Sequence, residues 1–244
     1  MTGAELKNAR LRARWTQVRL AGRLGVTQAY LSLMEGGRRR VPDRVRRCVA
    51  SVFRLPPTVL PLSGTGALSL AATDAQLEQG LARLGYAGLA YRKRPGVRRN
   101  PADLLLMALS ADDLDPRLAE ALPWLLLRFE GFNNEELVAR ARSMDQQNRL
   151  GFTVSLARRV AEHNPVYRNR WDDLQRFEQT LERCRLARED SYGRRETSER
   201  MRVWLRANRS PEARHWNLLS DLKPEHLPYA EPNSGTLVQL PSGR

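Results

Sequence analysis

Two threonines do most to limit how this chain can fold. Thr16 and Thr27 each stand directly before a stretch of helical spacing, where a hydroxyl accepts a hydrogen bond from a helix's first turn. Gly25 lies between them, where a helix end favours a residue free to take positive φ. The spacing predicts two short helices, 17–24 and 28–35, with only a tight turn between them. Leu20, Leu24, Val26, Leu31 and Met34 recur at helical spacing and form the predicted inner wall, and Ala21 is small where the helices must approach. Gly36-Gly37 ends the second helix. A helix over 3–14 precedes the pair, with Leu6, Ala9 and Ala13 on one face. A helix over 42–53 follows, opened by Pro42 and carrying Val45, Val49, Val52 and Phe53 on its apolar side. A short helix near 57–60 completes a four- to five-helix bundle.

Two short helices on a tight glycine turn make a helix-turn-helix unit. On the second of them Gln28, Ala29 and Ser32, with Tyr30 and Leu33 at the edge, fall opposite the inner wall, on a face free to enter a major groove. The charge supports a polyanionic partner. The chain carries a formal net charge of +14. Thirteen basic residues and only Glu5, Glu35 and Asp43 on the acidic side fall within residues 1–60, so most of the excess sits in the first quarter. Charge alone does not separate DNA from RNA or an anionic membrane.

The stretch WTQVRLAGRLGVTQAYLSLMEGGRRRVP resembles the Cro and phage-repressor helix-turn-helix family, also called the xenobiotic-response-element family. The matching pieces are Thr16-Gln17, Leu20-Ala21, Leu24-Gly25-Val26-Thr27-Gln28, Leu31, Met34-Glu35-Gly36 and Pro42. Trp15, Arg19 and Met34 depart from the usual pattern. The resemblance implies a DNA-contacting set of Arg14, Gln17, Thr27, Gln28, Ala29, Tyr30, Ser32, Leu33, Arg38, Arg39 and Arg40. Gln17 is expected to bond a phosphate. Gln28 is expected on a base edge, where its amide pairs bidentately with adenine or reads another base. Ala29 is expected against a thymine methyl, and Tyr30 and Ser32 on a base or a phosphate. Leu33 either reads a methyl or packs. Arg14 and Arg38 to Arg40 are expected to grip the backbone. Glu35 is read as structural, holding the helix pair.

Beyond residue 60 the chain reads as a linker over 61–73, a larger helical domain over 74–222 and a Pro-, Gly- and Ser-rich tail over 223–244 with a short extended piece at 236–240. Predicted helices cover 74–84, 101–110, 115–129 (kinked or divided at Pro123), 133–144, 147–162, 171–189, 196–207 and 211–219, with a loop or extended piece over 86–99. The expected fold class is therefore all-α: a helix-turn-helix bundle followed by a larger helical domain for dimerisation or sensing. No fixed helical repeat recurs. Within 86–99, Arg92, Lys93, Arg94, Arg98 and Arg99 form a basic loop that touches flanking DNA, holds an acidic partner, or is simply solvated. Asn148 and Arg149 either cap a helix and bond neighbouring backbone or bind a ligand. The segment 84–129, continuing to 145–162, is similar to C-terminal domains carried by bacterial repressors of this family, including regulators encoded beside nucleotidyltransferase-type toxins or phage-defence genes.

Catalysis finds no support in the residues. His163, His215 and His226 form no metal-ligand spacing, and no phosphate loop, nucleophile elbow or HExxH occurs. Asp112, Asp113 and Asp115 precede a helix and read as caps. Cys48 and Cys184 read as reduced thiols. No apolar run long enough for a membrane span and no signal-peptide h-region is seen. The expectation is a cytoplasmic, nucleoid-associated regulator without cofactor or metal. It would be a homodimer on a double-stranded operator, repressing a bacterial or phage-defence operon and often its own promoter. The alternative is an antitoxin-like protein whose helical domain neutralises a partner protein encoded nearby.

Overall fold

The computed structural model describes residues 1–63, 73–96, 99–193 and 198–232. The glycines at 64 and 66 of the expected linker, Arg98 of the basic loop and the extended piece at 236–240 lie outside the described residues. The fold is all-α, with an N-terminal helix-turn-helix region followed by a larger helical domain. The chain divides into two compact units, Met1–Ser63 and Gly64–Arg244.

The first unit holds α1 (Gly3–Arg12), α2 (Gln17–Leu24), α3 (Gln28–Glu35) and α4 (Asp43–Val52), then a 3₁₀ turn at Pro57–Val59. Each end has a local cause. Thr2 and Glu5 form a reciprocal capping box at α1. The Thr16 and Thr27 hydroxyls accept from the Arg19 and Tyr30 backbone N–H groups. Gly25 closes α2 with φ +67°. Leu6, Leu20, Ala21, Leu24, Leu31, Met34, Val41, Val45 and Val49 meet in one core; all but Val41 belong to the apolar set that the sequence pattern selects, and of the rest of that set Val26 and Phe53 pack partly buried against it. Gly3 lies so close to α3 that a Cβ would overlap the Met34 carbonyl oxygen. One expectation fails. α1 stops at Arg12, and Ala13 is exposed rather than on the inner face. Arg10, one turn beyond Leu6, is buried there instead.

The second unit is built around one helix. In order come α5 (Asp74–Leu84), α6 (Pro101–Leu109), α7 (Pro116–Arg128), α8 (Asn134–Ser143), α9 (Gln147–His163), α10 (Trp171–Glu182), β1 (Asp190–Ser191), α11 (Glu199–Asn208), α12 (Pro211–His215) and β2 (Leu218–Leu219). Every residue of α9 from Gln147 to Ala157 is buried, as befits a helix enclosed on all sides. Most of its buried polar side chains are paired inside, the Gln147 Oε1 being an exception among the described residues. Arg149 bonds Asp190 through Nε and Nη2, at 2.8 and 3.0 Å, and its Nη1 donates to the Leu109 carbonyl at the end of α6. Asn148 accepts from the Leu186 N–H and donates to the Leu186 carbonyl. The Trp216 indole N–H donates to the Ser155 hydroxyl at 2.6 Å. Asn148 and Arg149 are thus structural staples that tie distant backbone to α9.

Those staples explain two corrections. The helix expected over 171–189 stops at Glu182. Asn148 takes both backbone groups of Leu186, so that segment crosses the start of α9 and then pairs Asp190 with Leu218. The helix expected over 211–219 stops at His215, because Asn217 takes φ +54° and turns Leu218–Leu219 into the two-residue parallel strand pair. Of the two alternatives for Pro123 the structure excludes division, since it sits inside an unbroken α7. One further expectation changes. Residues 87–92 form two short 3₁₀ turns that meet at Leu89, whose φ of −121° is not helical, rather than a loop or extended piece. Asp115 caps α7 through the Arg117 N–H, as expected.

Gly151 faces the Trp216 ring, where an added Cβ would overlap the six-membered ring. Helix propensity favours alanine over glycine by about 1 kcal/mol. Overpacking costs about 1–3 kcal/mol and occasionally more. Trp216 is fully buried and hydrogen-bonded, so the clash should win. Gly151→Ala is expected to lower the urea midpoint of the full chain and to change Trp216 fluorescence. A midpoint at or above that of the parent chain would show that the ring has room to move.

Candidate nucleic-acid interface

A buried charge pair underlies the outer face of α3. Arg10 and Glu35 have side chains only 9% and 2% exposed. The guanidinium is bidentate on the carboxylate, Nε to Oε1 at 2.7 Å and Nη2 to Oε2 at 2.8 Å, and its Nη1 donates to the Trp15 carbonyl at 2.9 Å. Glu35 Oε2 also accepts from Gln17 Nε2 at 2.9 Å, and Gln17 Oε1 accepts from Gln28 Nε2 at 2.6 Å. Chemistry dictates the direction of this relay. A guanidinium only donates and a carboxylate only accepts. Gln17 must therefore turn its NH₂ toward Glu35 and its oxygen toward Gln28. Gln28 in turn must spend one N–H on Gln17. It keeps Oε1 and its other amide hydrogen, the acceptor and donor that match adenine's N6 and N7 in the major groove.

Burial pushes the Glu35 carboxyl up. The hydrogen bonds from Arg10 and Gln17 and the positive charges of Arg10 and Lys7 outweigh that, leaving it below the ordinary glutamate range.

The other members of the expected set divide by environment. Gln28, Ala29, Ser32 and Leu33 are exposed along one stripe of α3, while Leu31, Met34 and Glu35 face inward. Tyr30 is half-buried against the core. The Thr27 hydroxyl serves as the cap of α3. Gln17 is half-buried with its amide engaged at both ends, leaving one side-chain hydrogen for a phosphate. Arg38, Arg39 and Arg40 follow α3 in a turn set by Gly37 at φ +72°, where the Arg38 and Arg39 N–H groups both reach the Leu33 carbonyl. Arg14 holds the left-handed position after α1, at φ +56°. All four arginines are exposed without an acidic partner among the described residues.

Two departures from the family pattern turn out to be partners. The Arg19 guanidinium lies 4.2 Å from the Trp15 ring centroid, and that ring packs edge-on against Phe53 at 5.2 Å. An acidic residue at position 19 would lose this stacking, and so would an aliphatic one at 15. Sequence reasoning missed the pairing, and it missed Arg10. The available signal for Arg10 was its i+4 spacing from Leu6.

Residues 2–61 match the family model of a helix-turn-helix domain. The N-terminal unit is a helix-turn-helix domain. No curated protein and no solved structure matches the chain.

Several residues of the expected basic loop in the second unit are engaged. Arg92 pairs with Glu78 at 3.1 Å, Arg99 reaches the Met107 sulfur, and Arg83 bonds the Arg94 and Pro95 carbonyls to hold the segment. Lys93 and Arg94 are exposed. Among the described residues, no group of three His, Cys, Asp or Glu side chains is placed to hold a metal, and no helix is long and apolar enough to cross a membrane.

Removing one partner of a buried ion pair costs about 3–5 kcal/mol. Glu35→Gln is therefore expected to destabilise the helix-turn-helix domain by about that much at pH 7. Because the folded state lowers the Glu35 pKa, its contribution is complete above the ordinary glutamate range and is lost as pH falls through the lowered value. Denaturant titrations at pH 7 and in acid should show the penalty shrinking in acid. An unchanged penalty would mean that the ionised carboxylate is not what matters.

Proposed function

We propose that this chain is a sequence-specific double-stranded DNA-binding transcription regulator, acting as a dimeric repressor, often of its own promoter, in a bacterial or phage-defence operon. The presence of a helix-turn-helix domain supports a DNA-binding regulatory role. The observation that carries the finer reading is the stripe Gln28, Ala29, Ser32 and Leu33, exposed on α3 and backed by a relay from the buried Arg10–Glu35 pair through Gln17 that presets the Gln28 amide. Gln28 reads a base edge, and Ala29 and Leu33 offer apolar contact to thymine methyls. Ser32 and Tyr30 contact bases or phosphates. Thr27 fixes the start of the recognition helix. Gln17, Arg14, Arg38, Arg39 and Arg40 bind the backbone.

One such helix reads few base pairs, and helix-turn-helix proteins gain affinity by pairing on two half-sites. The second unit supplies the dimer contact in this reading, and Lys93, Arg94 and their basic neighbours add electrostatic affinity. One observation favours a second reading for that unit. Met201, Val203 and Trp204 of α11 are 40%, 56% and 49% exposed, an apolar surface suited to a protein contact. In that reading the unit engages a partner protein encoded nearby, as an antitoxin does.

The test is binding of the full chain to its own upstream region and to random DNA at two salt concentrations. Gln28→Ala should cost about 1–3 kcal/mol on the cognate site and little on random DNA. Arg39→Ala should weaken both alike and flatten the slope of log K against log salt by about one. Equal losses on both DNAs for Gln28→Ala would remove it from base reading. Weak, equal, strongly salt-dependent binding by the parent chain would overturn the sequence-specific reading.

A further inference from the structure

Helix α11 carries its apolar residues on the wrong side. A surface helix ordinarily turns its apolar stripe to the core and its charges to water. Eight of the ten residues of α11 are exposed, and Leu205 alone is buried, where the helix meets β2. Met201, Val203 and Trp204 are 40%, 56% and 49% exposed, and Ala207 is exposed with them. At about 100° per residue, Val203, Ala207, Arg200 and Trp204 form one outward stripe about 100° wide, with Met201 beside Trp204. A contiguous apolar patch of this kind marks a contact surface.

The charges around the stripe are sorted. Arg202, Arg206 and Arg209 gather on Glu189, at 3.7, 2.8 and 3.6 Å, and tie the helix to the segment before β1. Arg200 is different. It stands within the apolar stripe and has no acidic partner among the described residues. Glu199, with its side chain 76% exposed, lies on the same flank as Arg206.

This pattern is complementary to itself when reversed. In a twofold contact each residue pair occurs twice, i against j and j against i. With Val203 level with Trp204 of the partner subunit, an antiparallel pair sets Arg200 level with the small Ala207 of the partner subunit. The guanidinium then has room to lie over the partner's Trp204 ring, a favourable cation–π contact. On the flank, Glu199 comes beside Arg206 of the partner subunit, and the ion pair repeats across the axis. A parallel pair would instead set Arg200 against Arg200 and Glu199 against Glu199.

We propose that α11 pairs antiparallel with α11 of a second copy of this chain, across a twofold axis between Val203 and Trp204. The proposal rests on the dimer reading above and names its surface. One helix pair is smaller than a standard interface, so the association is weak. Two half-sites on one DNA strengthen it by raising the effective concentration.

Sedimentation of the full chain without DNA, over a wide range of protein concentration, tests the pairing. The parent chain should show a reversible monomer–dimer equilibrium. Trp204→Glu should weaken it by about thirtyfold or more, the loss of a buried tryptophan anchor. Val166→Glu, at a residue 52% exposed elsewhere in the unit, should leave it unchanged. Far-UV circular dichroism should be the same for all three. Orientation is read by mild oxidation in a Cys48→Ser, Cys184→Ser background. A mixture of Arg200→Cys and Ala207→Cys chains should form a disulfide-linked dimer, and neither variant alone should. A parent chain that stays monomeric at the highest soluble concentration would overturn the proposal. So would dimers indifferent to Trp204→Glu, or cross-linking by Arg200→Cys alone. Monomers that still select a DNA site would refute this pairing and leave the DNA reading intact. Dimers through α11 that select no site would do the reverse.

Discussion

The Arg10–Glu35 pair is the interaction on which the N-terminal domain depends. Burying two charges is costly, and such a pair is tolerated only when its geometry is good and its remaining valences are met. Here both conditions hold, through two short parallel bonds, the Trp15 carbonyl and the Gln17 amide. The pair ties the last turn of α1 to the last residue of α3 and to the turn that starts α2. It also sets a direction. Because one partner can only donate and the other only accept, the orientation of Gln17 follows, and from it that of Gln28. A stability element in the interior thereby orients the Gln28 amide, the recognition group of the proposed function, on the surface. Preorganisation of this kind lowers the ordering cost of making a contact.

The second unit solves a related problem without a preset surface group. A helix enclosed on every side must pair whatever polar groups it carries. On α9 Asn148, Arg149, Thr153 and Ser155 each find a partner on a segment remote in sequence or on their own helix, while the Gln147 Oε1 is buried with none among the described residues. Arg149 and Arg170 do parallel jobs, each satisfying carbonyls at the C-terminal end of a buried helix, α6 and α7 respectively. Arg149 is met by Asp190 at both its Nε and an Nη. Arg170 is met by Asp173 at Nη1, while its Nε–H is buried without an acceptor among the described residues.

Much of the fold was legible in the sequence where local chemistry decides it. The caps Thr16 and Thr27, the glycines at 25 and 85, and the Asn-Pro and Asp-Pro openings at 100–101 and 115–116 mark ends that local hydrogen bonds and φ preferences impose. Less legible were helix ends made by non-glycine residues in the left-handed region, at Arg14, Arg54, Asp145 and Asn217. Asn217 hid the end of α12 in this way. The early stop of α10 was hidden differently, since its cause is a side chain, Asn148, far away in sequence. In the candidate interface, the exposed stripe of α3 follows from helical periodicity alone. The relay behind it does not, because Arg10 and Glu35 meet only once three helices have packed. Trp15 and Arg19 were visible as two separate departures, and only the fold makes them one contact.

The central claim is that the preset face of α3 reads DNA sequence rather than only its charge. Selection of binding sites by the full chain from a random double-stranded pool, run at physiological salt, tests this most directly. The account predicts enrichment of two short, symmetry-related half-sites about one helical turn apart, lost when the same selection uses Gln28→Ala. Recovery of DNA with no shared motif, or the same motif with both proteins, would contradict it.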